Sequence, residues 1–161
     1  MILGMTTYTF VHVVLSLIGI LSGFVVLYGL LTASRMVGAT WIFLIATVAT
    51  SVTGFGFPFH GFTPGIGVGI LSLVALAAAI AGRYVFHLAA SWRLIYVVGA
   101  VVALYFNVFV LVAQAFLKIA ALHALAPTGS EPPFAIAQGV VLVFFIVMGF
   151  LSARRFHPVA V

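Results

Sequence analysis

The chain has 161 residues, 66% of them hydrophobic and only 4% charged. A soluble domain carries about a quarter charged residues, so a water-soluble fold is excluded and a single membrane domain over 1–161 is expected, with the lipid bilayer as its first partner. The formal net charge of +5 comes from six scattered Lys and Arg residues; they form no basic patch of the kind phosphate backbones require, so no nucleic-acid partner is expected.

Five apolar segments follow in chain order, each near the ~20 residues that ~30 Å of hydrocarbon demands of a helix. The first runs from Tyr8 to Leu31. His12, Ser16, Gly19 and Gly23 lie on it at i, i+4, i+7 and i+11, one stripe of a helix, and Gly19 and Gly23 have the GxxxG spacing that admits a close neighbour. A cleaved leader carries its positive charge before the apolar run. Here that charge is Arg35, after it, which reads as a permanent first span with its N-terminus outside.

The second segment runs from Thr40 to Phe57, with Thr47, Thr50, Ser51 and Gly54 on one small, polar face. Pro58 and Pro64 then bracket a turn that cannot continue a helix. The third runs from Gly65 to Gly82 and opens with Gly65, Gly67, Gly69 and Ser72. The fourth, Leu94 to Leu117, carries Asn107 and Gln114, with Lys118 just beyond, at i, i+7 and i+11 and with Tyr96 nearer its start. The stretch Ala126 to Pro133 breaks the chain again. The fifth segment, Phe134 to Ala153, contains Gln138. Trp41 and Trp92 stand at span ends, where indole favours the interface.

Charge gives the segments a direction. With five spans, Arg35, Arg83, Arg93, Arg154 and Arg155 all fall on one face, and the opposite face has Lys118 and the single acidic residue, Glu131. The positive-inside rule makes the arginine face cytoplasmic. The expected fold is therefore all-α, an integral membrane bundle of five transmembrane helices, N-out and C-in, in a bacterial inner membrane.

Polar residues in hydrocarbon are costly unless they face the bundle interior. His12, Ser16, Asn107, Gln114 and Gln138 are the expected ligand-binding residues of a cavity in the outer half, with Lys118 and Glu131 at its rim. His12, His60 and His123 share imidazole chemistry suited to a transition metal, although no pair has a local ligand spacing. His12 is also the one histidine set within a helix, where it can serve a haem iron. His87 and His157 fall on the cytoplasmic side, apart from this group.

Several chemistries are absent. There is no cysteine, hence no disulfide, thiolate ligand or Fe–S cluster. No GxSxG motif and no second carboxylate exist for hydrolysis. The GIGVG run from Gly65 follows a turn, not a strand, and lacks a phosphate-binding spacing. No hydrolytic or nucleotide-dependent enzyme is expected; a redox role would need a bound cofactor. The leading expectation is a binding module for a small amphipathic ligand, a quinone, haem or a metal ion. A second reading is an accessory subunit that packs through its small-residue faces against a second copy or a partner in a membrane complex. A third, a carrier or channel, would need the polar stripe to reach the cytoplasmic face.

Overall fold

The computed structural model describes residues 6–58 and 64–158. Helix α1 spans Thr7–Leu31 and α2 spans Val37–Gly54. Helix α3, Pro64–Ile80, continues into a π-helical turn over Ala81–Val85. Then come α4, Trp92–Lys118, a short α5, Ala120–Leu125, and α6, Pro132–Arg155. Five of these stretches are long and apolar enough to cross a membrane, α3 together with its π turn forming the third.

Local chemistry sets the boundaries. The Thr6 side chain accepts a hydrogen bond from the Thr9 N–H at 3.2 Å and caps α1, supplying a partner for one of the free donors of a helix start. Helix α2 starts at Val37, three residues before the expected Thr40, directly after Met36 in the left-handed region (φ 38°). It ends at Gly54, so Phe55 to Phe57 belong to the turn. Pro132 and Pro133 occupy the first turn of α6, where a missing N–H costs nothing. Before them, the Glu131 carboxylate accepts from the Thr128 N–H (3.0 Å), the Thr128 hydroxyl (2.9 Å) and the Ser130 N–H (3.1 Å). Desolvation raises its titration point, but these hydrogen bonds outweigh that and hold it below the usual carboxylate range.

Helix α4 is central. It packs against α1, α3, α5 and α6, while α2 lies between α1 and α3. Glycine lets the backbones approach. A Cβ on Gly99 would stand 2.6 Å from the Ala75 carbonyl oxygen, and one on Gly23 would stand 2.5 Å from Leu104 Cδ1. Gly19 and Gly23 are thus buried against α2 and α4 of the same chain. Within this chain the GxxxG spacing is filled from inside the bundle, Gly19 by Thr47 and Asn107 and Gly23 by Phe43 and Leu104.

The core is uneven along the bundle. Its buried cluster includes Leu27, Leu30, Phe43, Leu76, Val97, Leu104 and Phe156. It sits in the half that also carries the 32–36 and 86–91 connections and the end of α6, the arginine end. Lipid-compatible surface covers the outside: Ile136, Val140, Val143, Phe144 and Val147 of α6 are all exposed.

Arg83 departs from its expected place at the edge of a loop, just past the third span. The π turn carries the helix past Gly82, and Arg83 is only 8% exposed. Its Nη1 donates to the Tyr96 hydroxyl at 3.0 Å and its Nη2 to the Arg35 carbonyl at 2.7 Å. The guanidinium also lies over the Tyr96 ring, 5.1 Å from the centroid. Wide i→i+5 turns shift the phase of a helix, which turns a residue expected beyond the span into the space between α3 and α4.

Candidate functional site

At the end of the bundle away from the arginines, α1 and α2 meet along a polar seam. Tyr8 and His12, one turn apart on α1, reach the last turn of α2 and the residues after it. The Tyr8 hydroxyl donates to the Thr53 carbonyl. His12 Nδ1 lies 2.8 Å from Thr53 Oγ1. The Phe57 ring stands edge-on to both, 5.0 Å from the imidazole centroid and 5.1 Å from that of Tyr8. Gly54 keeps the wall low: a Cβ there would come within 3.7 Å of His12 Cε1.

The direction of these hydrogen bonds fixes the imidazole. A threonine hydroxyl has one proton, and that of Thr53 is directed to the Ala49 carbonyl at 2.7 Å. Thr53 Oγ1 can then only accept from His12. Nδ1 carries the ring proton, and in the neutral ring Nε2 keeps a bare lone pair. Among the described residues Nε2 has no hydrogen-bond partner, and His12 is half-buried. The site is an imidazole locked in one orientation, with an acceptor nitrogen free on its open edge.

The other expected site residues do not converge on this point. Ser16 donates to the His12 carbonyl at 2.9 Å, a bond within its own helix. Asn107 donates to Thr47 Oγ1 at 3.1 Å, and both lie beside Gly19. Gln138 donates to the Phe109 carbonyl at 3.0 Å, with its own Oε1 buried and unpartnered. Gln114 and Lys118 are exposed rather than turned inward with Asn107. His123 is exposed on α5, and Glu131 serves its own turn. His60 lies outside the described residues. Among those described, no group of three or more His, Asp or Glu comes close enough to hold a metal ion.

Toward the arginine end the polar seam stops. Between Asn107 and Tyr96 on α4, Leu104, Ala103, Ala100 and Val97 are fully buried among Leu27, Leu30, Phe43 and Leu76. Among the described residues of this face of α4, an apolar layer thus separates the polar seam from the arginine end.

Three contributors to the seam escaped the sequence reading: Tyr8, Thr53 and Phe57. Two left a signal. Tyr8 precedes His12 by one turn, and Thr53 follows Thr50 by three residues along the polar side of α2. Phe57 left none, because its position depends on the turn after Gly54. Comparison with protein-family models, curated proteins and solved structures gives no match to this chain.

Proposed function

We propose that the chain is a small multi-pass protein of the bacterial inner membrane that binds a small ligand through His12 in the outer half of its bundle, with the N-terminus outside and the C-terminus in the cytoplasm. The observation that carries this reading is the His12–Thr53 pair, which holds Nδ1 as a donor and leaves Nε2 as a free acceptor. Histidines that ligate metals usually donate the other ring N–H to a fixed acceptor, and this orients the ring and raises its basicity. Thr53 is placed for that role.

The chemistry of Nε2 narrows the ligand. A lone pair binds a Lewis-acidic metal centre, including a haem iron, or a hydroxyl that can donate. An oxidised quinone offers only carbonyl oxygens and has nothing to give Nε2, whereas a quinol does. The ligand classes supported are therefore a haem or metal centre and a hydroxyl-bearing amphiphile, with Tyr8 and Phe57 supplying aromatic walls.

Purified full-length protein should show either a Soret band, a bound transition metal, or an extractable quinol. His12→Phe should abolish that signal. Thr53→Val should weaken binding at least about tenfold through loss of one hydrogen bond to the ligating ring. Retention of the same ligand in full by His12→Phe, or a wild-type protein that neither carries nor takes up any of the three, would sink the proposal.

A further inference from the structure

The opposite end of the bundle holds a second feature that this function leaves unused. A cavity of about 220 Å³ opens among Arg35, His87, Leu88, Arg93, His157 and Pro158. Three separate stretches build it: the α1–α2 connection, the segment from the π turn into α4, and the residues after α6. Each stretch is pinned. Arg83 holds the Arg35 carbonyl. Arg93 Nη1 donates to the Ala153 carbonyl at 3.0 Å and to that of Phe156 at 2.8 Å, and the Phe156 side chain is fully buried. His157 and Pro158 are thereby held at the rim.

The cavity is cationic, and among the described residues no acidic side chain lines it. The chain's single acidic side chain, Glu131, stands just before the other end of the 24-residue α6, roughly 36 Å away along the helix at 1.5 Å per residue. Arg93 spends part of its donors on backbone carbonyls and keeps the rest. Arg35 Nε is buried with no partner. The bonds of Arg93 among the described residues both use Nη1, out of five N–H groups on a guanidinium.

The backbone here is also strained. Among the described residues, five non-glycine positions have left-handed φ: Ala33, Met36, His87, Leu88 and Ala90. All five lie in the two connections that frame the cavity, and His87 and Leu88 line it. Such conformations are costly and persist where a site over-determines them.

We propose that this cavity binds a phosphate group, gripped by Arg35 and Arg93 with His87 and His157 at its edge. Guanidinium forks match phosphate oxygens in geometry and charge. A basic pocket between helices at a membrane end is placed to take an anionic lipid headgroup, and a free phosphate presents the same oxygens. The proposal does not depend on the His12 site, which lies at the other end of the bundle.

The test uses full-length protein in two arms. In phosphatidylcholine nanodiscs doped with phosphatidylglycerol, lipid retained through purification is counted by native mass spectrometry. In detergent, inorganic phosphate is titrated by calorimetry. Phosphatidylglycerol retained over phosphatidylcholine and lost at least about tenfold in Arg35→Gln, the effect of one charge-assisted bond or more, assigns the site to a lipid headgroup. Saturable phosphate uptake with the same dependence assigns it to a free anion. His157→Gln, at an exposed position after the last helix, should weaken whichever ligand binds and leaves thermal unfolding unchanged, so it decides if Arg35→Gln fails to fold. Failure of both probes to bind, or binding indifferent to the substitutions, overturns the proposal.

Discussion

Arg83 is the most heavily engaged polar side chain of the arginine end. Its charge is buried, and its partners are a phenol and a backbone carbonyl rather than a carboxylate. Breaking one such bond while the donor stays buried costs roughly 1–3 kcal/mol. Tyr96→Phe should therefore lower the thermal unfolding temperature in detergent clearly, although it removes one oxygen atom and no apolar surface. Arg83→Lys should fare no better, since an ammonium cannot fork toward both the Tyr96 hydroxyl and the Arg35 carbonyl. An unchanged melting temperature in Tyr96→Phe would mean that the bond contributes nothing. The sequence marked Arg83 only as a charge beside a span, because a wide turn leaves no trace in apolar periodicity. His12 was legible, since a histidine inside a span needs an inward reason. Its threonine partner was not, because periodicity fixes the side of a helix on which a residue lies and not what stands opposite. Gln114 shows the same limit: it shares the stripe of Asn107 by spacing, yet is exposed at its own height.

At the scale of elements, close glycine contacts set how the helices cross, and the contacts are unequal. A methyl group on Gly99 meets the backbone carbonyl of Ala75 at 2.6 Å, whereas one on Gly23 meets the tip of the Leu104 side chain at 2.5 Å. A leucine tip can rotate away, but a helical carbonyl moves only with its helix. Gly99→Ala should push α3 and α4 apart and cost about 1–3 kcal/mol, the usual toll of overpacking. Gly23→Ala should cost less despite the shorter distance. Denaturant unfolding of the two variants side by side checks the order, and the reverse ranking would show that Leu104 is the less mobile neighbour. The GxxxG spacing was readable from the sequence, but whether its partner lies inside or outside the chain was not. Gly99 left a weaker signal, the small-xxx-small spacing it makes with Ala103.

For the whole molecule, span count was the most legible property, because five runs of apolar residues each match the thickness of a bilayer. Boundaries shifted by a few residues where the cause was local: the left-handed Met36, the π turn, and the break before the short α5. The five-span arrangement predicts a labelling pattern. The chain has no cysteine, so each introduced one is unique. Ala89→Cys and Arg155→Cys should react with a membrane-impermeant maleimide from one side, and Ala124→Cys from the other; all three positions are exposed. Reaction of Ala89→Cys and Ala124→Cys from the same side would remove α4 as a span.

The buried guanidinium between α3 and α4 has a consequence for permeation. It carries a permanent positive charge in a buried setting with no acidic side chain near it among the described residues, next to a buried apolar layer. A fixed cation at a constriction repels mobile ones, and pores use this device to exclude protons and metal cations. Even if thermal motion opened the apolar layer, sodium, potassium and protons would meet an electrostatic barrier at Arg83.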